Sequence, residues 1–383
     1  MKKSLIALAC LSALPFAASA ANVELYGTVD TYIAVNHGNG DTDVSLASGG
    51  ASASFWGIKG TEELSNGLQA IFKLESAFLT DTGTFPDGAG DNGLFSREAW
   101  VGLNSTTWGT LSFGRQYTPH FLTWAMTDPT DLSLGSSYSP FFFPMPTGVN
   151  GEVSDSLVRH DNSVLYVSPR MAGLQLFAYA ALGEEKDSSG NITGSEDGNV
   201  YNIAANYVNG PLFVMASVLY QDYSGNNATG LGYVLDGTDG DPKDNPAQTK
   251  GHGMYYNLGV TYDFGVTKLS GAFMYKDGED TPEVPDFWVA QIGAATPVFG
   301  GRWSVSASML SNETQDDADA YSFGTRFDYP LSKRTKVYVG YEYVVNDDNA
   351  KYSIEAGPDS SLHYANEFGE NQGQFFMGIN HKF

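Results

Sequence analysis

Lys73 and Glu75 stand two residues apart in AIFKLESAF, and Arg326 and Asp328 do the same in GTRFDYP. Residues at that spacing share one side of an extended strand. With Gln69 and Arg97 they form a set that no dry interior could hold unpaired. One chemistry for such groups is hydrolysis, which needs a nucleophile or activated water, a His base and an orienting carboxylate. His160-Asp161 is the adjacent pair of interest, but neighbours on a strand face opposite sides. His37, His120, His252, His363 and His381 are scattered, so nothing converges on a catalytic centre. The acidic run DGTDGDPKDN lacks the spacing and terminal glutamate of a twelve-residue calcium loop and reads as a solvated loop. No metal site and no cofactor are expected. The remaining use for the charged set is to line water.

The elements that would position it are strands. Trp303, Val305, Ala307 and Met309 interleave with Ser304, Ser306 and Ser308. Tyr256, Leu258, Val260, Tyr262 and Phe264 interleave with Asn257, Gly259, Thr261 and Asp263. The chain ends the same way: Phe375, Met377, Ile379, His381 and Phe383 alternate with Gln374, Phe376, Gly378, Asn380 and Lys382. This is period two, one apolar and one polar face per strand. Short connectors such as Ser65-Asn66-Gly67 and Phe299-Gly300-Gly301 alternate with long polar ones: His37 to Ser52, Thr80 to Leu94, Thr118 to Leu157, Glu184 to Asn199, Asp222 to Gly253, Asp277 to Asp286, Asn312 to Asp319 and Asn346 to Asn371. The alternation predicts eight hairpins and about sixteen strands, with both termini on the short-turn side.

The amino-terminal MKKSLIALACLSALPFAASA has a basic start, an apolar stretch and Ala18-Ser19-Ala20, the pattern of a cleaved signal peptide over residues 1–20. Its apolar run, broken by Ser12 and Pro15, is too short for a spanning helix. Cys10, the one cysteine, lies inside it, so the exported chain carries no disulfide. Loss of Lys2 and Lys3 takes the net charge from −24 to −26, which argues against nucleic acid as a partner. The fold class expected for 21–383 is all-β, a single transmembrane antiparallel β-barrel with short periplasmic turns and long extracellular loops. Apolar faces turn to lipid, polar faces to water, and the last strand pairs with the first to remove both raw edges. A closed sheet of this size leaves an aqueous channel.

Four stretches carry a resemblance that covers essentially all of residues 22–383. They are ANVELYGTVD, SFWGIKGTEELSNGLQAIFKLE, LFSREAWVGL followed by GTLSFGRQYTP, and VRHDNSVLYVSP, together with the terminal HKF. In this order and spacing the chain resembles the general porins of Gram-negative outer membranes. The resemblance implies a sixteen-stranded homotrimer that lets small hydrophilic solutes diffuse passively. It also implies a third loop, 118–157, folded into the pore as a constriction. Partners so implied are the bilayer and lipopolysaccharide, and outer-membrane assembly machinery that reads the C-terminal strand through Phe383.

Carried over residue by residue, the family pattern makes Arg97 and Arg159 wall groups of the constriction, with Lys59 on the same side. Asp128 and Asp131 become acidic loop groups, with Glu152 and Asp155 as weaker candidates. Lys73 and Glu75 line the lumen. Arg115, sharing parity with Leu111 and Phe113, points outward, needs a partner, and is implied in subunit assembly. Phe55 stands where the family usually has arginine and Thr28 where it often has lysine, while Asp30 adds an acid on the same side. With the acidic long loops, these departures predict a weak cation preference. The aromatics of the third loop, Phe121, Trp124, Phe141, Phe142 and Phe143, read as packing against the wall. A sugar-specific channel, in which they form a gliding track, is the alternative; an outer-membrane hydrolase is a more distant one.

Overall fold

The computed structural model describes residues 22–38, 40–86, 93–142, 157–183, 185–186, 192–194, 199–222, 252–278, 286–314, 316–354 and 367–383. The leader, Phe143, Glu152, Asp155 and the DGTDGDPKDN run lie outside them. β1 (Asn22–Gly38) turns back into β2 (Asp41–Ser48), and β3 (Phe55–Glu63) continues beside the other end of β1. β4 (Leu68–Ala77), β5 (Glu98–Ser105) and β6 (Gly109–Tyr117) precede the third long connector, which holds α1 (Pro119–Ala125) and α2 (Ser139–Phe142). β7 (Arg159–Val167) and β8 (Leu174–Ala181) follow, and β9 (Glu185–Lys186) with β10 (Ile192–Gly194) makes a small separate hairpin. The circuit continues through β11 (Val200–Asn209), β12 (Leu212–Asp222), β13 (His252–Asp263), β14 (Lys268–Asp277) and β15 (Phe287–Val298). It ends with β16 (Gly301–Asn312), β17 (Ala320–Pro330), β18 (Thr335–Asn346) and β19 (Gln372–Lys382). Counted with β2 and β3 as one stave and without β9 and β10, the barrel has sixteen antiparallel staves.

Closure is made by β1 and β19, from Thr28 opposite Lys382 to His37 opposite Gly373. Pairing runs to the last residue. Phe383 N donates to Gly27 O at 3.1 Å, and Gly27 N to Phe383 O at 3.2 Å. An unpaired edge in hydrocarbon would leave backbone groups without partners, which is the physical reason the chain ends on an ordered strand. The short turns are built by residues that accept positive φ. Asn66 and Gly67, at φ 61° and 72°, join β3 to β4 with a Leu68 N to Ser65 O bond of 3.3 Å. Two consecutive left-handed residues match the right-handed twist of the flanking strands.

The two faces separate as the alternation predicts. Ile203, Leu258, Ile292, Phe323 and Met377 are exposed on the outer face, and Tyr201, Tyr256 and Tyr321 lie toward one end. Tyr262, Trp303, Tyr329 and Phe383 lie toward the other. An aliphatic belt between two aromatic girdles suits a bilayer and its two interfaces. The inner face carries Asn202, Asn206, Ser217, Asn257, Thr261, Gln291, Ser304, Ser306 and Ser308.

One stave departs from the sequence reading. The connector expected over His37 to Ser52 is instead a hairpin, because Asp41–Ser48 pairs with β1. Val44 and Leu46 supply the outward apolar positions of this stave. Two such residues among polar neighbours are too weak a pattern to distinguish from loop. The strand count is unchanged, since β2 and β3 share one stave.

Candidate functional site

The third connector leaves β6 through a capped helix. Thr118 Oγ1 accepts from Phe121 N at 3.0 Å, and Pro119 follows at the first helical position, where its missing N–H costs nothing. From there the chain touches strands that are far apart around the barrel. His120 N donates to Asn202 Oδ1 at 2.7 Å on β11, and the His120 ring meets Asn257 on β13 at 2.9 Å. Ser137 N donates to Ser306 Oγ at 2.9 Å on β16, and Gly135 N to Glu342 Oε2 at 2.9 Å on β18. One segment can reach β11, β13, β16 and β18 together only from inside the barrel. The loop is therefore folded into the lumen along that half of the wall.

Glycines let it lie close. A Cβ at Gly324 would stand 2.4 Å from Gly135 O, and one at Gly293 2.8 Å from Pro129 Cγ. Small side chains and close backbone approach go together. The loop's acidic groups face its own turn and the wall. Asp128 accepts from Thr130 N at 2.7 Å, Thr130 Oγ1 at 2.9 Å, Leu132 N at 3.1 Å, Ser136 Oγ at 2.6 Å and Gln291 Nε2 at 2.7 Å. Arg326 donates to Ser133 Oγ and Leu134 O, both at 2.6 Å, from a fully buried position. His120 is wholly enclosed, and burial pushes its imidazole down to about 3. Trp124 stacks on Tyr138 with ring centroids 3.3 Å apart, and Phe141 and Phe142 are buried beside them.

The opposite wall, formed by β1 and β3 to β7, carries long charged side chains, of which Lys59 and Lys73 are partly exposed while Glu75, Arg97, Glu98 and Arg159 are buried. Lys73 Nζ pairs with Glu75 at 2.8 Å and with Glu98. Arg97, which immediately precedes β5, lies over the Phe55 ring at 4.7 Å, donates to Tyr117 Oη at 2.7 Å and approaches Glu75 at 3.3 Å. A register shift between Gly114 and Gln116 brings Tyr117 opposite Arg159, whose guanidinium lies 5.4 Å from the Tyr117 ring centre. Phe121 of the loop stacks on the same tyrosine at 4.9 Å. Lys59 lies over Tyr26 at 4.6 Å and pairs with Glu24 at 3.3 Å. Arg97, Arg159, Lys59, Phe55, Lys73 and Glu75 thus share one continuous stretch of inner wall.

Two predicted lining acids behave differently. Asp30 is on the lumen side but 0% exposed, accepting from Tyr338 Oη at 2.7 Å, Asn380 Nδ2 at 2.8 Å and Gly50 N at 2.8 Å. It ties the inward Gly49–Ser54 link to the β1–β19 seam and presents no carboxylate to a water path. Asp128, 4% exposed, is likewise consumed by its five donors. Asp131 remains open, its side chain 74% exposed and 4.0 Å from Arg302.

Arg115 is on the outer face, in register with Ala99, and its need for a partner is met by Asp161 at 3.0 Å and by Ser96 O at 2.5 Å. Sequence reasoning missed Tyr26, Tyr117 and Glu98. It placed Arg326 and Asp328 on one face but missed Arg302 and Lys336, which with Arg326 surround Asp328 at 3.6, 2.9 and 3.1 Å respectively. Arginine and lysine at inward parity on β16 to β18 were the available signal. A further unforeseen feature is the start of the last long connector. Ala350, Tyr352 and Ile354 are buried, with Tyr352 edge-on to Phe141 at 5.3 Å. Asn346 holds that turn by two bonds of 2.9 Å to the Tyr352 backbone.

A closed barrel of this width, apolar outside and polar within, with a loop laid into its lumen, defines a water-filled channel across an outer membrane. The chain belongs to the Gram-negative porin family, whose model matches residues 7–349. It is 31% identical over 389 residues to outer membrane porin protein 32 of Delftia acidovorans, covering all of both chains. It is 30% identical over 398 residues to an outer membrane porin protein of Bordetella pertussis, covering 90% of this chain and 95% of that one. In fold it is similar to an anion-selective porin from Comamonas acidovorans, with a TM-score of 0.75 at 24% identity over 95% of this chain and 100% of that one. OmpT of Vibrio cholerae shares the fold at a TM-score of 0.64 and 16% identity, covering 96% and 99%. The protein is an outer-membrane porin of a Gram-negative bacterium, a channel and not an enzyme.

Proposed function

We propose that the channel passes small hydrophilic solutes and ions by passive diffusion, and that its constriction lies between the docked third loop and the wall bearing Lys59, Lys73, Arg97 and Arg159. The observation that carries this reading is the asymmetry of the lumen: one half is covered by a loop that docks through Asp128, Ser137, Gly135 and His120, and the other keeps Lys59 and Lys73 partly exposed. Opposed charge along a narrow aqueous path orders water and favours polar over apolar solutes.

The accessible charge favours anions. Lys59, Lys73, Arg302 and Lys336 have side-chain exposures of 47%, 26%, 41% and 28%, whereas Glu75, Glu98 and Asp328 are at 4%, 7% and 8%. Glu24, Glu63 and Asp131 are open acids facing them. The weak cation preference expected from the sequence relied partly on Asp30, which is sealed from solvent. A mild anion preference takes its place, in keeping with the anion-selective fold relative.

Three associations complete the proposal. Residues 1–20 serve as a cleaved leader for the single barrel domain of 21–383. The protein forms a homotrimer through faces that include Arg115, a reading supported by the trimer form described for OmpT. The paired C-terminal strand ending at Phe383 is the part assembly machinery engages, and lipopolysaccharide surrounds the acidic outer loops. Planar-bilayer recording with a salt gradient tests the channel reading. Stepwise ohmic conductance with a reversal potential on the chloride side is expected; absence of conductance, or a clear potassium preference, would overturn it.

A further inference from the structure

The wall opposite the loop carries a continuous chain in which cations and aromatic rings alternate, with Lys59 exposed, the rings partly buried, and Arg97 and Arg159 buried. Lys59 sits over Tyr26, and Tyr26 meets Phe55 edge to face at 6.0 Å. Phe55 lies under Arg97, Arg97 holds the Tyr117 hydroxyl, and Tyr117 lies between Arg159 and Phe121. The rings of Tyr26, Phe55, Tyr117 and Phe121 are only partly buried. They come from β1, β3, β6 and the loop, so the chain runs around the wall across several staves rather than along one. A general diffusion path needs charge at its narrowest level but has no use for half-exposed rings there. The aromatic residues that serve loop packing, Trp124, Phe141 and Phe142, are by contrast fully enclosed.

We propose that this ladder selects among organic anions, favouring small aromatic carboxylates over saturated carboxylates of the same charge and ring size. The reading rests on the proposed anion-passing constriction and specifies its solute class. The partly buried rings offer a flat face on which an aryl ring stacks, while the exposed Lys59 ammonium meets the carboxylate. The neighbouring rings supply offset or edge-to-face contact for a second aromatic face. A cyclohexyl ring has neither the quadrupole nor the flat face. A neutral sugar can stack but leaves the cations without a counter-charge, and an aryl cation meets repulsion from Lys59, Arg97 and Arg159.

The test measures permeability ratios of the full-length processed protein in planar bilayers at neutral pH. Potassium benzoate is compared with potassium cyclohexanecarboxylate by reversal potential, and chloride with potassium in the same membranes. Benzoate is expected to permeate on the order of threefold more readily than its saturated analogue. Benzylammonium and cyclohexylmethylammonium chlorides form the steric control, and their ratio should stay near unity. Tyr117→Leu and Phe55→Leu should each bring the benzoate ratio toward one. A wild-type benzoate ratio of one, an ammonium-pair ratio as large as the benzoate ratio, or a benzoate ratio unchanged in both variants overturns the proposal. A retained chloride preference with a benzoate ratio of one removes the aryl selectivity alone, whereas lost conductance or potassium preference removes the channel reading beneath it.

Discussion

The two halves of the lumen obey one alternation and use it for different ends. Along β11 to β17 many inward positions facing the loop are Asn, Ser, Gln and Gly, short enough for a second layer of backbone to dock, with Tyr255, Met274 and Arg326 as longer partners. Along β1 and β3 to β7 they are Lys, Arg, Glu and aromatic residues, of which Lys59, Lys73 and the rings of Tyr26, Phe55 and Tyr117 remain partly exposed. Short polar groups satisfy loop N–H and C=O groups without filling the space the loop needs. Long charged groups project into a path that must stay open. The contrast shows that one alternation can build, within a single barrel, a wall sealed by a docked loop and a wall that keeps lysines and rings near water.

Four measurements would break or sharpen that contrast. The largest effect is expected at Asp128. Asp128→Ala leaves two buried backbone donors and the Gln291 amide without their acceptor and should destabilise the protein by about 3 kcal/mol. Urea unfolding of the refolded barrel in lipid vesicles reads this, and a wild-type midpoint would show that the loop does not depend on its carboxylate. Gly324→Val comes next. Its Cβ is built 2.4 Å from a loop carbonyl, so overpacking should cost about 2 kcal/mol and shift the single-channel conductance as the loop is pushed toward the open wall.

His120 gives a pH-dependent effect. Its folded value of about 3 is below that of an unfolded histidine, so the unfolded state takes up the proton first. The stability it permits is present above the unfolded value near 6.5 and is lost as pH falls from there toward 3. At one unit below the unfolded value the loss should be roughly 1 kcal/mol. His120→Gln should flatten the acid limb of the stability curve; an unaltered limb would place the titration elsewhere. The smallest effect concerns selectivity. Lys59→Ala should lower the chloride-to-potassium permeability ratio by about twofold, while Asp30→Asn, on a sealed group, should barely move it. If Asp30→Asn raised the chloride ratio as far as Lys59→Ala lowers it, buried and exposed charges would be equivalent and the distinction between the walls would fail.

Much of the site was legible because strand parity is a local property. Gln374 to Lys382 at even positions, Asn202 and Asn206, and Ser304 to Ser308 all fall on the lumen side that alternation assigns. Arg115 could be set on the outer face, with a partner required, from Leu111 and Phe113 alone. Parity was not enough for Asp30 or Asp128, because it reports which side a group faces and not what covers it. The covering groups of Asp30 come from Tyr338 and Asn380, more than three hundred residues away. Tyr117 escaped notice because a register shift beside it disturbs the period of two. Tyr26 escaped notice, and Phe55 stood out only as a position lacking the family's arginine, because an aromatic ring on a polar face carries no charge to mark it as a surface in its own right.

Residue order alone determined the period of two, the alternation of short and long connectors and the unfrayed aromatic end, because hydrogen-bonded strands in hydrocarbon leave few other arrangements for such a pattern. Closure brought the first and last staves together, laid the third loop against one half of the wall and sorted the charges into sealed and open. Those outcomes depend on contacts between residues distant in the chain, where the fit of one surface to another decides what water can reach.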